Sequence, residues 1–402
     1  MWASPARHDV TKKDGRRAKT GDDQQARRPS SARLLMKAST ASSARRVAAL
    51  RVAMEQRGTR ALLITNGANR RYLSGFRGSA GLLLVTSDKQ YVIADFRYWE
   101  SVAEQAPDWE LVKIQRSIDI PSAIARLVTD VGLTHLGFES DDVTVATLNR
   151  WRDASGKTIT YEPCEGIVER LRAVKDDDEL ATIRRALAIT DDAYARLRTW
   201  LKPGMTERSV AWELEKYMRE HGAEGLAFPI IVASGPNAAM PHAVTTDRPI
   251  QASETVIIDM GARVDGYCAD LTRTFCLPPI PQEVRRIYEI VLAAHEEVER
   301  RMRAGMTGKE GDALARDIIT EYGYGDAFGH STGHSLGYDI HEWPSLSRQH
   351  DEPLDAGVIE TVEPGIYLPG WGGVRIEDVI VVRDGPPDIL TRADKSLDWS
   401  NV

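Results

Sequence analysis

The sequence predicts an α/β (α+β) protein of two units: a smaller α/β unit, then a larger one of duplicated α-α-β halves sharing a curved antiparallel sheet backed by helices. Three observations predict this. Short strand-like runs between turn signals fill residues 43–165. A Gly-Met-Thr segment occurs at 204–206 and again at 305–307, each time after a long amphipathic helix pattern and before strand-like hairpins. A chain of 402 residues is also too long for one ordinary core.

Taken in order, residues 1–40 read as a disordered basic tail or as sequence ahead of a later start at Met36 or Met54. Lys12, Lys13, Arg16, Arg17, Lys19, Arg27 and Arg28 stand among small and polar residues, with almost nothing large and apolar before Leu34. Such a segment buries too little surface to fold, and it lacks the apolar core of about 7–15 residues that a signal peptide requires. Residues 41–168 form the smaller unit. A helix over 43–56 presents Val47, Leu50, Val52 and Met54, and strands are expected at 61–64, 81–86, 90–94, 111–113 and 136–138. Residues 169–402 form the larger unit. Asp176, Asp177 and Asp178 open a helix through Leu180, Ile183, Leu187, Ile189 and Ala193, where negative charge suits the helix dipole. Thr206 and Thr307 are placed as N-caps of helices that stop at Gly222 and Gly323. The matching order predicts that helices 207–221 and 309–322 are related by a pseudo-twofold axis.

Composition narrows the function. Hydrophobic residues make up 42% and charged residues 28%, with a net charge of −7, which argues against a nucleic-acid surface over the whole chain. No run of about 18 apolar residues suggests a membrane helix. Three cysteines, Cys164, Cys268 and Cys276, argue against a disulfide framework and for a reducing, cytoplasmic setting.

Two hairpins carry the chemistry. Asp265-Gly266 is a two-residue turn signal. With that turn Val264 pairs with Tyr267, Asp259 faces Thr272, and Asp259 and Asp270 become diagonal neighbours about 7 Å apart on one face. In the second hairpin, a loop symmetric about Gly370 sets Glu363 opposite Glu377. Facing like charges destabilise a sheet unless compensated. Four converging carboxylates therefore call for two divalent cations, and oxygen-rich ligation suits Mn²⁺, with Co²⁺ or Zn²⁺ as alternatives. Either pair alone reads more readily as turn or cap residues than as ligands. His242, His330, His334 and His341 lie in Gly- and Pro-rich segments beside these hairpins, and Arg375 shares the face of Glu377. Cys268 is read as packing.

These residues resemble the motifs of the "pita-bread" metallopeptidases: methionine aminopeptidase, aminopeptidase P and prolidase. The resemblance runs through I-I-D-M-G, D-L-T-R-T-F, H-S-T-G-H-S-L-G-Y-D-I-H-E, E-P-G-I-Y and G-V-R-I-E-D, over roughly residues 170–390. R-Y-L-S-G-F-R-G-S-A-G at 71–81 and A-D-F-R-Y at 94–98 resemble the creatinase-type N-terminal domain of the proline-specific members. The resemblance implies Asp259, Asp270, His334, Glu363 and Glu377 as ligands of two metal ions, His334 being the second histidine of G-H-x-x-G-H. It implies that His242 and His341 hold the substrate carbonyl and the tetrahedral intermediate, and that Glu363 shuttles a proton. His330 and Arg375 are expected to contact substrate, with Arg375 also orienting a carboxylate. The expected activity is an Xaa-Pro aminopeptidase acting on proline-containing peptides as a homodimer. An Xaa-Pro dipeptidase is the nearer alternative, and a metal-free binding module on the same fold is the alternative of another class.

Overall fold

The computed structural model describes residues 31–115, 119–397 and 399, with only the backbone described over 31–40. The expected tail therefore lies, through residue 30, outside the described residues. The helix predicted from Ser43 begins at Ser31, as α1 (Ser31–Gln56). Its buried stripe is Val47, Leu50 and Met54; Val52, expected on the same face, is 55% exposed. Three residues at i, i+3 and i+7 share a face, and Val52 falls outside that arc.

The smaller unit continues through β1 (Ala61–Ile64), α2 (Gly67–Ser74), β2 (Leu82–Thr86), β3 (Gln90–Asp95), α3 (Trp99–Gln105), β4 (Glu110–Ile114), α4 (Ile120–Asp130), β5 (His135–Glu139), α5 (Val145–Ser155), β6 (Thr160–Cys164) and α6 (Ile167–Ala173). Its six strands form one mixed sheet in the order β4-β3-β2-β1-β5-β6. In β1, Leu62 and Ile64 pack under α1, while Ala61 and Leu63 pack under α4 and α5. A central strand covered on both faces reads as an unbroken apolar run. Strand β6 escaped the sequence reading because it is an edge strand that contains Pro163 and buries only Tyr161 well.

The larger unit opens with α7 (Asp177–Leu197), started by a reciprocal capping box between Asp176 and Glu179, and α8 (Glu207–Glu220). Strands β7 (Gly225–Leu226), β8 (Ile231–Ser234), β9 (Thr255–Met260), β10 (Ala262–Val264), β11 (Tyr267–Cys268) and β12 (Leu271–Cys276) complete the first half. The second half repeats the order with α9 (Gln282–Arg301), α10 (Gly308–Glu321), β13 (Gly333–Ser335), β14 (Glu342–Leu346), β15 (Ile359–Val362), β16 (Gly365–Leu368), β17 (Gly372–Arg375) and β18 (Asp378–Val381), and β19 (Asp388–Ile389) follows.

The duplication extends to individual hydrogen bonds. Thr206 caps α8 through the Ser209 N–H and Thr307 caps α10 through the Glu310 N–H. Gly204 N–H donates to Ile250 O, and Gly305 N–H to Leu354 O. Thr206 bridges Pro249 and Thr307 bridges Pro353. The two helix pairs therefore occupy equivalent positions. In each half the helices cover one side of the strands. Val210, Leu214 and Met218 of α8 pack with Val256, Ile258 and Met260 of β9. Ile287, Val291 and Ala294 of α9 pack with Val374, Ile376 and Ile380. Because side chains alternate along a strand, Asp259 and Glu377 point away from the helices.

Both hairpins keep the predicted registers. Val264 pairs with Tyr267 and Asp259 with Thr272. Ile359 pairs with Val381 and Gly365 with Arg375, one register that brings Glu363 opposite Glu377. The curved antiparallel sheet is nonetheless built of short ladder segments, and the breaks fall at the acids. At Gly261 a Cβ would lie 1.9 Å from Ala269 O, so only glycine lets the strands pass beside Asp270. Pro364 cannot donate to a ladder beside Glu363. There the halves join instead: Glu377 N–H donates to Thr272 O, and Arg375 N–H to Thr274 Oγ1 at 3.0 Å. Among the described residues no helix is long and apolar enough to cross a membrane, and the three cysteines are unpaired.

Candidate metal centre

Three of the four acids reach the site from ladder breaks, and Asp259 from within a ladder. Asp259 is next to last in β9, Asp270 precedes β12, Glu363 follows β15 and Glu377 precedes β18. Oxygens of Asp259, Asp270 and Glu377 lie within 4.8 Å of one another. His334, in β13, sets Nε2 3.3 Å from Glu363 Oε1 and 3.7 Å from Asp270 Oδ2. Neighbouring side chains orient these groups. Thr272 donates to Glu377 Oε2 at 2.7 Å, Thr361 to Glu363 Oε1 at 3.2 Å, and Arg375 Nη2 to Asp259 Oδ2 at 2.6 Å.

The electrostatics are those of a site short of positive charge. Burial, then the neighbouring Glu377, Asp259 and Glu363, push the Asp270 carboxyl well above its ordinary range. Burial, then Glu363 and Asp259, do the same to Glu377. Burial raises Asp259 as well, against the opposing pull of Arg375. Burial would also raise Glu363, but the hydrogen bond and charge of His334 outweigh it and hold Glu363 at about 2. His334 is correspondingly drawn up to about 9, burial notwithstanding.

The donor set fits divalent cations. Asp259 Oδ1 and Glu377 Oε1 are buried with no hydrogen-bond partner, a costly condition unless something positive takes that place. With His334 neutral, four carboxylates against the one guanidinium of Arg375 leave three negative charges, which two dications offset. Oxygen donors with one imidazole suit hard or borderline metals.

All nine side chains singled out in the sequence line one cavity of about 610 Å³. Phe228, Pro229, Ile230, Ile231, Val244 and Ile340 give it an apolar wall. His242 sits on the loop after a short 3₁₀ helix at Gly235–Ala239. Buried Glu207 organises that loop by accepting from Ser234, Asn237 and Thr246. His341 stands beside His334, the two rings 4.3 Å apart and edge to face. Burial, then the neighbouring His334, holds His341 below the usual histidine range.

Two expected substrate contacts, His330 and Arg375, line the cavity with their polar atoms engaged by protein partners. His330 Nδ1 lies 2.8 Å from Ser331 O and Nε2 lies 2.9 Å from Tyr367 Oη, so both ring nitrogens are engaged. Arg375 is committed to Asp259, Thr272, Tyr367 and Pro241 O. Sequence reasoning missed Thr272, Thr361 and Tyr367. The two threonines were within reach, since each lies two residues from an acid and so on the same face. Asp312 was beyond it: this buried acid in α10 accepts from Thr332 and ion-pairs with Arg316, which donates to His330 O.

Comparison with known proteins places this geometry. Residues 181–384 match metallopeptidase family M24, and residues 46–174 match the creatinase/prolidase N-terminal domain. The structure of an Xaa-Pro dipeptidase from Bacillus anthracis is similar, with a TM-score of 0.85 and 40% identity, covering 88% of this chain and 99% of that one. An X-Pro aminopeptidase structure from Thermotoga maritima has a TM-score of 0.78 and 36% identity, covering 84% and 97%. An Xaa-Pro dipeptidase of Pyrococcus furiosus is 33% identical, covering 86% of this chain and 97% of its own length.

Proposed function

The chain belongs to metallopeptidase family M24, and on that premise we propose that it hydrolyses the bond between an N-terminal residue and proline in dipeptides. One observation carries the reading. Buried carboxylate oxygens of Asp259 and Glu377 without hydrogen-bond partners belong to side chains that line the same cavity as Phe228, Pro229, Ile230, Ile231, Val244 and Ile340. Proline has no N–H to satisfy and a fixed, compact ring, so that apolar wall can accept it without a hydrogen-bond acceptor.

In this proposal Asp259, Asp270, His334, Glu363 and Glu377 hold two divalent cations, Mn²⁺ being the expected pair. When bound, the cations supply Lewis acidity and a more acidic water. His341, held neutral, donates an N–H to the substrate carbonyl oxygen, and His242 steadies the same group as it becomes tetrahedral. Glu363 takes a proton from the attacking water and delivers it to the departing proline nitrogen. Arg375 fixes Asp259, and His330 holds Tyr367 against Arg375, so both act as supports.

The sequence leaned toward an aminopeptidase. The relatives from B. anthracis and P. furiosus, named as dipeptidases, move the proposal to dipeptides. The T. maritima relative, named as an X-Pro aminopeptidase, keeps the longer-peptide reading as the second. A homodimer in the cytoplasm is the proposed setting. The test is kcat/KM for Ala-Pro, Ala-Pro-Ala and Ala-Ala with Mn²⁺. Turnover of Ala-Pro alone supports the proposal. Turnover of Ala-Pro-Ala as well selects the aminopeptidase, and equal rates on Ala-Ala reject proline specificity.

A further inference from the structure

The segment that joins the two units reaches the back of the hairpin carrying His334 and His341. Ser335 and Glu342 are cross-strand partners in β13 and β14, and each directly follows one of those histidines. Lys175 Nζ donates to Ser335 Oγ at 3.0 Å and to Glu342 Oε2 at 3.3 Å, so one buried ammonium spans the pair. Arg172, from α6, donates Nη2 to Glu342 Oε1 at 2.5 Å and to Asp339 Oδ2 at 2.9 Å. Its Nη1 donates to Asn69 Oδ1 at 2.7 Å, and Asn69 donates to Glu139 Oε1 at 2.6 Å, deep in the smaller unit. The side chains of Lys175, Arg172 and Glu342 are 1%, 5% and 5% exposed. A chain of charge-assisted hydrogen bonds in such a dry setting is stiff. The backbone completes the link, since His334 Nδ1 meets Ser335 O at 3.1 Å.

We propose that Lys175 and Arg172 are positioning residues: by gripping Ser335 and Glu342 they set the separation of the His334 and His341 rings, so the joint between the two units controls the geometry of the centre. The consequence for turnover rests on the peptidase reading; the consequence for geometry does not.

The experiment is Lys175→Met in the full chain. A crystal structure of the metal-free variant should show the 4.3 Å ring separation changed by about 1 Å, a misplacement that costs about 100-fold in rate. Metal analysis should still find two ions, and kcat for Ala-Pro should fall about 10- to 100-fold with KM held. In an His341→Ala background the same change should cost almost nothing, because its effect passes through His341. Rings left in place, or losses that simply add in the double variant, overturn the proposal. Should Lys175→Met not fold, Ser335→Ala removes one acceptor, leaves the ion pairs, and is read the same way. Rings that move in a protein whose parent turns over no peptide reject the peptidase reading and retain the clasp.

Discussion

Glu377 and Asp378 are consecutive residues that enter two buried acidic clusters lying back to back. Behind the strand, Asp378 meets Arg273 at 2.7 Å, the Lys395 ammonium, and His295 Nε2 at 3.4 Å, while Lys395 also meets Glu299 at 3.0 Å. Two carboxylates there face two protein cations. Burial would raise Asp378, but Arg273 and Lys395 hold it below its usual range, and burial keeps His295 neutral, down at about 3. In front of the strand, Glu377 joins three other acids that share Arg375. Both clusters gather three potential ligand atoms within 4.8 Å. Proximity of acids therefore does not mark a metal site. The mark is the charge balance: Asp378 Oδ2 also lacks a hydrogen-bond partner but is ion-paired with Lys395, whereas in front four acids face the single guanidinium of Arg375.

The comparison breaks first under substitution of the front acids. Asp259→Ala or Glu377→Ala removes cation stabilisation worth several kcal/mol, so kcat/KM should fall roughly 1,000-fold or more. Metal analysis should show at least one ion lost while circular dichroism shows the fold kept. Two ions retained in both variants would refute the assignment.

The rear cluster should respond in the opposite currency. Asp378→Ala leaves buried Arg273 without its carboxylate partner and should cost about 3–5 kcal/mol of stability, measured by urea unfolding of the metal-free protein. Glu377→Ala under the same conditions should cost far less, since it relieves repulsion. Equal losses would erase the distinction between the clusters.

A finer comparison uses Thr272, which holds Glu377 Oε2. Thr272→Val should weaken metal affinity or activity about 10- to 100-fold, read by calorimetric titration with Mn²⁺. An unchanged affinity would mean that the hydroxyl only fills space.

The smallest effect is one of pH. Without metal, His334 is drawn up to about 9 and so holds a proton near neutrality, while burial and neighbouring acids also raise Asp270 and Glu377. A ligand must shed its proton to bind a cation. Affinity should therefore fall as pH falls below about 9, by roughly tenfold per unit for each proton displaced. Affinity that is flat between pH 6 and 8 would contradict this.

The hairpin geometry was legible in the sequence because it is local. Asp265 and Gly266 both take positive φ, +48° and +84°, as a tight hairpin turn requires, and that turn alone dictates that Asp259 faces Thr272. The capped helices of the two halves were legible for the same reason, each cap lying within three residues of its partner. What the tertiary structure decided is where the positive charge goes. Arg273 stands among the residues of the Asp270 strand yet turns away to Asp378, and Lys395 arrives from 17 residues further along to the same acid. Arg375 crosses to Asp259, 116 residues away in sequence. Side-chain period tells which face a residue takes, but charge balance depends on every group that burial brings within a few ångströms. In a low dielectric that balance separates a salt-bridged core from a centre that needs ions.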